Sequence, residues 1–334
     1  MLARTASVDV CCNMAAQDML GLVAATFTPM TKEGEINLSV IGSYVDYLIH
    51  TQGVKRIFVN GTTGEGISLS VQERKLLAEE WIKQGKGKMD EVIVHVGSSS
   101  LREAQELARH AATIQADAIC TVSPSFLKPS SVGALVAYLN EVASATPEVP
   151  FYYYHIPSLT GLNFRVEDIL DEMKKCGVNN CLLNPNFRGV KFTGLDLLDF
   201  GQCVHRYGQE LSFFYGVDEQ LLSALVLRAN GAVGSTYNYL GKAVGAMLSD
   251  FQKGDLHSAQ NKQFLIQEFI SYLFHQGLGL ADFKRIMSLV SNIDMGLPRL
   301  PLQINETANL ASALDKMKAL GLYVTPHSKT SSTP

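Results

Sequence analysis

Long apolar runs and clusters of basic residues are both missing from this sequence of 334 residues. No stretch reaches the ~18 consecutive apolar residues that a membrane-spanning helix needs. The 28 basic residues are outnumbered by 32 acidic ones, and they are scattered along the chain. Because nucleic acids and anionic membranes are bound through clustered lysine and arginine, we expect neither a nucleic acid nor a membrane partner.

Cysteine is scarce, and the common catalytic signatures are absent. Six cysteines without a CxxC pair are too few for a disulfide scaffold in a chain of this length. The eight histidines show no metal-ligand spacing, and neither H-E-x-x-H nor G-x-S-x-G occurs. The sequence therefore gives no support to a metal site or a serine triad.

The two ends of the chain carry little structural signal. Residues 1–18 contain one arginine and no apolar core of the kind a secretory signal needs. We expect them to form a flexible leader in which Cys11 and Cys12 are exposed and reduced, which favours a cytoplasmic location. Residues 327–334 are polar and lack periodicity, and a disordered tail is expected over 323–334.

Between these ends, short apolar runs alternate with amphipathic segments. The runs cover residues 20–28, 56–60, 91–97, 118–123, 151–155, 188–192, 211–216 and 231–235. Their length and their Val, Ile, Phe and Tyr content are typical of buried parallel strands. Capping boxes at Ser70–Glu73 and Ser100–Glu103, and glycines at 53, 85 and 208, mark helix starts and ends.

Eight strands alternating with helices favour an α/β fold, a (β/α)8 barrel over residues 19–239. A doubly wound sheet remains open at this point, because a strand count does not exclude it. After residue 239 only helical periodicity is present, at 243–251, 257–273 and 281–291. Residues 240–322 are therefore predicted to form a helical extension packed on the barrel.

Catalytic groups of such barrels lie at the carboxyl ends of the strands. Lys191 lies within the sixth apolar run, where burial disfavours the ammonium form and favours the neutral amine of a Schiff-base nucleophile. A lysine that reaches solvent from the strand end is the competing interpretation.

Other strand ends also carry candidate polar groups. The fifth run contains three tyrosines, of which Tyr154 shares a face with Tyr152; packing beneath helices is the alternative role. Residues 60–66 read NGTTGEG, a loop that could bind an anion through backbone amides and the hydroxyls of Thr62 and Thr63, or be only a tight turn.

The last three strand ends add small polar and acidic side chains. Asp218 and Glu219 follow the seventh strand, where helix capping is an alternative role for them. The remaining candidates at these ends are Thr193, Gly216 and Ser235.

Taken in order, these strand ends resemble the pyruvate-dependent class I aldolase superfamily, which includes N-acetylneuraminate lyases and dihydrodipicolinate synthases. The resemblance covers residues 19–305. It is carried by the segments 61–65 (GTTGE), 154–157 (YHIP), 190–191 (VK), 216–219 (GVDE) and 231–238 (GAVGSTYN). Any one of these segments is weak evidence, but five in the right order on eight strands are specific.

Two features favour the N-acetylneuraminate lyase branch. In the synthases an arginine follows the catalytic tyrosine and holds a second carboxylate, whereas this chain has Leu159. The acidic pair Asp218 and Glu219 also suits a polyhydroxylated sugar better than a charged aldehyde.

The resemblance implies reversible aldol cleavage of N-acetylneuraminate to pyruvate and N-acetylmannosamine. Lys191 would form the Schiff base and Tyr154 would move protons, with no metal or organic cofactor. Thr62 and Thr63 would hold the C1 carboxylate. The sugar chain would meet five residues, namely Thr193, Gly216, Asp218, Glu219 and Ser235. A homotetramer is expected because relatives are often tetramers.

Three positions depart from the pattern of the relatives. Phe126 stands where many have a second tyrosine that enters a neighbouring subunit's site, and His155 replaces the commoner asparagine beside the catalytic tyrosine. Residues 174–187 form a longer approach to the sixth strand. Two other functions stay open: cleavage of a different 4-hydroxy-2-oxo acid, or a barrel that binds a sugar acid without turnover.

Overall fold

The computed structural model describes residues 21–177 and 184–326, which form a barrel of eight parallel strands. The strands are β1 (Gly21–Ala25), β2 (Arg56–Val59), β3 (Glu91–His95), β4 (Ala118–Val122), β5 (Phe151–His155), β6 (Phe187–Phe192), β7 (Ser212–Tyr215) and β8 (Gly231–Gly234). Each strand pairs with the next, and β1 closes the barrel against β8. The predicted (β/α)8 barrel is confirmed, and closure excludes the doubly wound sheet.

Helices follow the strands and cover the outside of the barrel. They are α1 (Ile41–Tyr47, continued by a π-turn at Leu48–Gln52), α2 (Val71–Gly85), α3 (Leu101–Thr113), α4 (Val132–Ala143), α5 (Pro157–Thr160), α6 (Val166–Cys176), α7 (Leu197–Tyr207), α8 (Leu221–Val226) and α9 (Tyr237–Gln252). Three more helices follow, α10 (Leu256–His275), α11 (Leu280–Ser291) and α12 (Leu310–Ala319). None of these described helices is long and apolar enough to cross a membrane.

Local sequence signals account for several helix boundaries. At α2, Ser70 and Glu73 each accept a hydrogen bond from the other's backbone N–H, so the predicted capping box is present. The box predicted at α3 is only half formed. The Ser100 hydroxyl accepts from the Glu103 N–H, but the Glu103 carboxylate takes the Ser98 hydroxyl instead. Ser98 donates to the Glu103 carboxylate, which therefore does not accept from the Ser100 N–H.

The tyrosines of β5 alternate between the two sides of the sheet, as the two-residue period of a strand requires. Tyr152 and Tyr154 point into the barrel, where they join an interior cluster that includes Phe58 and Phe214. Tyr153 points outward and is buried under the helices. Side chains from several strands therefore fill the interior of the barrel.

The start of β6 differs slightly from the prediction. The strand begins at Phe187, one residue before the predicted start, and a bulge places Arg188 between Phe187 and Gly189, which pair with Phe151 and Tyr152. Residues 178–183, on which the predicted long segment centres, lie outside the described residues.

The helical extension begins later than expected. The expected boundary after residue 239 lies inside α9, because residues 237–239 form the first turn of the helix that completes the eighth strand–helix unit. The extension proper consists of α10–α12, of which α10 packs on α9 and α12 packs on α10 and α11. Residues 1–18 of the expected leader and 327–334 of the expected tail lie outside the described residues. The tail was predicted to begin at residue 323, but Tyr323 is described and packs against the hydrophobic core.

Candidate active site

A cavity of about 610 Å³ opens at the carboxyl ends of the strands. All nine predicted site residues line it: Thr62, Thr63, Tyr154, Lys191, Thr193, Gly216, Asp218, Glu219 and Ser235. This position is the one at which (β/α)8 barrels place their active sites. Parallel strands bring these residues together although they are spread over more than 170 positions of the sequence.

Lys191 lies at the floor of the cavity with only 6% of its surface exposed. It stands opposite Tyr154 in the β5–β6 register, and both side chains point into the barrel. The lysine Nζ lies 3.5 Å from the centre of the Tyr154 ring and 4.6 Å from that of Phe58. Because the amine lies against these two rings inside the barrel and is almost fully buried, the alternative in which Lys191 extends into solvent is excluded.

Tyr154 connects the lysine to the loop that follows β2. Its hydroxyl lies 3.2 Å from the Thr62 hydroxyl, within hydrogen-bond distance. Its ring packs edge-on against Phe58 and His95, with ring centres 5.8 and 6.2 Å away. The phenol is therefore held by its neighbours at the level of the lysine amine.

The loop at residues 60–66 is compact because its backbone bonds to itself. The Glu65 N–H donates to the Thr62 carbonyl at 3.0 Å, and the Gly66 N–H donates to the Gly61 carbonyl at 3.1 Å. A Cβ on Gly66 would approach the Asn60 carbonyl oxygen to 1.8 Å, so only glycine fits. Thr62 and Thr63 lie at the tip of this turn, and Thr63 is buried.

Asp218 does not cap the helix that follows it, which was its alternative role. Its Oδ2 instead accepts the N–H of Thr236 at 3.1 Å and the Thr236 hydroxyl at 2.6 Å, which links the ends of β7 and β8. Among the described residues its buried Oδ1 makes no hydrogen bond of regular geometry, and the buried Tyr237 hydroxyl lies close to the carboxylate and helps to stabilise its charge. Burial raises the pKa of Asp218, and the Thr236 hydrogen bonds oppose that rise.

Thr193, which lines the cavity together with Asp218, has a side-chain oxygen without a hydrogen-bond partner among the described residues. Its backbone N–H is fixed by the His155 carbonyl, whereas the hydroxyl oxygen is buried. A Cβ on Gly216 would come within 2.0 Å of that hydroxyl, so glycine keeps the space open. Beside it, burial and the neighbouring Asp218 charge raise the pKa of Glu219. Carboxylate acceptors and an unpaired hydroxyl suit a ligand rich in hydroxyl groups.

A sequence profile of the dihydrodipicolinate synthetase family matches residues 18–319. The chain belongs to this family. Its curated relatives include N-acetylneuraminate lyase of Rattus norvegicus, which is 56% identical over 307 residues, covering 92% of this chain and 94% of the relative. The Homo sapiens N-acetylneuraminate lyase is 57% identical over 301 residues, covering 90% and 92% of the two chains.

Solved structures within the dihydrodipicolinate synthetase family share the fold. The Proteus mirabilis N-acetylneuraminate lyase superposes with a TM-score of 0.83 at 36% identity, covering 92% of this chain and all of the other. The predicted superfamily membership is confirmed.

Leu159 and Phe126, which the sequence comparison singled out, lie in different surroundings. Leu159 lies on the short helix α5, lines the cavity and is 60% exposed, so it is in place to meet a substrate. Phe126 lies on the loop between β4 and α4, is 87% exposed and does not line this cavity. The described residues contain no group of three His, Cys, Asp or Glu side chains that could hold a metal ion.

His95 lines the cavity and contacts the Tyr154 ring, which its sequence context does not indicate. Its Nδ1 lies 3.0 Å from the Asn60 carbonyl and 3.4 Å from the Arg74 guanidinium. The shorter contact, to an oxygen that can only accept, places the hydrogen on Nδ1, since Arg74 donates instead to the His95 carbonyl at 2.7 Å. Burial, with the nearby charges of Arg74 and Lys191, lowers the pKa of His95 well below its ordinary value. The ring is therefore a neutral, fixed wall of the cavity.

The helical extension supplies a wall that sequence reasoning missed. Apolar side chains of α10, α11 and the segment after α11 line the cavity: Ile270, Leu273, Phe274, Leu280, Phe283, Pro301 and Leu302. Helical periodicity shows that these helices have an apolar face. Nothing in the sequence indicates that part of this face covers the mouth of a barrel.

Proposed function

We propose that this chain catalyses the reversible aldol cleavage of N-acetylneuraminate to pyruvate and N-acetylmannosamine through a Schiff base on Lys191. The observation that carries the proposal is the buried Lys191 amine beside the Tyr154 ring. Both lie in the cavity at the carboxyl ends of the strands, in a barrel of the dihydrodipicolinate synthetase family. The curated relatives of this chain named N-acetylneuraminate lyase support the choice of substrate.

The Lys191 amine attacks the C2 ketone of the open-chain sugar acid, and loss of water leaves an iminium. A base then removes the C4 hydroxyl proton, and the C3–C4 bond breaks with its electrons passing into the iminium to form an enamine. Protonation of the enamine and hydrolysis release pyruvate and free the lysine. The iminium is the electron sink, so these steps need no metal or organic cofactor.

Tyr154 is proposed as the group that moves these protons. Its hydroxyl is next to the Thr62 hydroxyl, which can relay or stabilise charge on it. The hydroxyls of Thr62 and Thr63 and their loop amides would hold the C1 carboxylate. Thr193, Asp218, Glu219 and Ser235 would accept and donate to the sugar hydroxyls beyond C4, with Gly216 leaving room for them.

Assembly and location are proposed as well, namely a homotetramer in the cytoplasm. The exposed Phe126 and Leu127 beside the cavity mouth support a contact with another subunit there, because large apolar side chains together at a surface favour burial.

The direct assay is cleavage of N-acetylneuraminate by the purified chain. We expect pyruvate and N-acetylmannosamine in equal amounts, at a rate that a metal chelator leaves unchanged. Turnover of a different 4-hydroxy-2-oxo acid in preference to sialate would replace the proposed substrate. No turnover of either, with the compound bound, would favour the non-catalytic barrel.

Asp218→Asn is expected to lower kcat/KM for sialate cleavage about ten- to hundredfold, since hydrogen bonds to buried charged groups are worth about 1.5–3 kcal/mol. An asparagine oxygen can keep the Thr236 hydrogen bonds, but its NH₂ then replaces the Oδ1 acceptor. The concentration of pyruvate that half-saturates borohydride inactivation is expected to change little. Glu219→Gln should behave similarly, and Glu210→Gln, exposed at the other end of β7, is the control. Equal losses in both assays would assign Asp218 to folding alone.

Leu159→Arg tests the choice of branch within the family. The new cation would crowd the sugar chain and lose hydration beside it, so kcat/KM for sialate should fall at least about tenfold. Pyruvate trapping should persist, because Lys191, Tyr154 and Thr62 are untouched. The measurement is parallel kinetics with sialate and a carboxylated aldehyde, with thermal melts as a folding check. Leu159→Gln provides a neutral comparison. If the folded arginine variant cleaves sialate as fast as the parent, Leu159 does not contact the sugar.

A further inference from the structure

Glu65, at the end of the loop that carries Thr62 and Thr63, is held through both of its carboxylate oxygens by the helical extension. Its Oε1 accepts from Lys284 Nζ of α11 at 2.8 Å, and its Oε2 accepts from the backbone N–H of Arg299 at 3.0 Å. Each charged side chain of the pair is only 1% exposed. The two partners come from positions 219 and 234 residues further along the chain.

Glu65 has a backbone conformation that is unusual for a residue other than glycine. Glu65 has a φ of 55°, in the left-handed region that side chains other than glycine, asparagine and aspartate rarely adopt. Such a conformation persists where surrounding contacts hold it. The Glu65 N–H closes the turn onto the Thr62 carbonyl, so the orientation of the turn and that of the carboxylate are linked.

The same part of the extension is anchored to the barrel and also closes the cavity. The Arg299 guanidinium binds the Glu73 carboxylate of α2 and donates to the Gly34 carbonyl. Lys284 Nζ also donates to the Leu297 carbonyl at 3.3 Å. Leu280 and Phe283, one turn and one residue before Lys284, line the cavity. Loop and cavity wall are therefore tied to each other through the Glu65–Lys284 pair.

We propose that Glu65 and Lys284 are positioning residues that set the geometry of the carboxylate-binding loop, so that the helical extension takes part in binding the keto acid. The proposal rests on the proposed function only in that the loop receives the substrate's carboxylate. Neither side chain needs to touch the substrate. They act through Thr62 and Thr63, and through Thr62 on the hydroxyl of Tyr154.

A purely stabilising role is the alternative that the experiment must separate. Burial lowers the pKa of Lys284 and the Glu65 charge opposes that shift, so removing one partner leaves a costly unpaired charge. Replacing both partners avoids that charge. Two variants are therefore informative. Glu65→Gln leaves one side-chain oxygen to accept from both Lys284 Nζ and the Arg299 N–H. The double variant combines Glu65→Gln with Lys284→Met.

The readout is the pyruvate concentration that half-saturates borohydride inactivation at Lys191, measured well below the melting temperature of each variant. We expect it to rise about tenfold or more in the double variant, the effect of losing one or two hydrogen bonds to the carboxylate, and a few-fold in Glu65→Gln. KM for sialate should rise in parallel, with a smaller change in kcat. Lys316→Met, which removes the surface pair with Glu268 on α12 and α10, should alter neither value.

Half-saturation within twofold of the parent in the double variant, with any loss of activity matching the unfolded fraction, would overturn the positioning role. If the double variant does not fold, the half-saturating pyruvate concentration of Glu65→Gln is judged by the same twofold criterion. A parent protein that pyruvate and borohydride do not inactivate at all would instead refute the proposed function, so the two failures are distinguishable.

Discussion

Lys191→Met is expected to remove sialate cleavage almost completely, by a factor on the order of 10⁴ to 10⁶, the scale on which enzymes lose activity with their covalent nucleophile. Methionine is unbranched and close to lysine in length, and its thioether can pack against the same Phe58 and Tyr154 rings. The cavity would therefore keep its shape while the nucleophilic nitrogen is lost. Initial rates of pyruvate release measure the effect.

The fold of this variant should survive the change. Because a buried amine is replaced by an apolar side chain of similar size, the melting temperature should stay the same or rise. Lys316→Met, a lysine replacement on α12 outside the cavity, is the matched control and should keep full activity. Cleavage by the folded Lys191→Met protein within tenfold of the parent rate would rule out the Schiff-base role.

Tyr154→Phe should lower kcat for sialate cleavage about 10²- to 10⁴-fold, the usual contribution of a positioned proton-transfer group. The phenyl ring keeps its contacts with Phe58, His95 and Lys191, and only the hydroxyl that meets Thr62 is removed. KM should change much less than kcat, because the carboxylate loop and the sugar wall are unaltered.

Tyr153→Phe offers the control for this substitution on the adjacent residue. That tyrosine points away from the lumen into the layer under the helices. Its variant is expected to change stability more than activity. If Tyr154→Phe and Tyr153→Phe lose activity equally, the Tyr154 hydroxyl has no special part in proton transfer.

The barrel could be predicted because its signal is local. Each strand is a short apolar run buried on both faces, and several of the intervening helices show their own caps and periodicity. The β5 tyrosines could be assigned to alternating faces, but the lumen side needed the structure. Strand closure also needed the structure, since no residue in the sequence records that β1 meets β8.

The candidate site was predictable for a different reason. Parallel strands gather their carboxyl ends at one rim, so a buried lysine, a tyrosine and a glycine-rich loop at strand ends must meet. The resemblance to a known family then supplied their roles. Position in the fold could thus be inferred for Lys191 and Tyr154 before any distance was known.

Contacts between distant segments could not be predicted. The Thr236 hydrogen bonds to Asp218 and the Lys284–Glu65 ion pair join residues that no pattern links, and either acid could have faced solvent. Nor does periodicity tell which part of the apolar face of α11 covers the cavity. Such pairings depend on how whole elements pack, which a local sequence signal does not encode.

The most direct test of the account is the attachment site of trapped pyruvate. The parent protein is incubated with pyruvate and borohydride, digested, and examined by mass spectrometry alongside Lys191→Met and Lys316→Met. We predict one reduced pyruvate adduct, on Lys191, which accumulates in step with loss of activity, persists in Lys316→Met and is missing from Lys191→Met. An adduct on another lysine that tracks inactivation, or full activity after Lys191 is modified, would contradict the central claim that Lys191 carries the reaction.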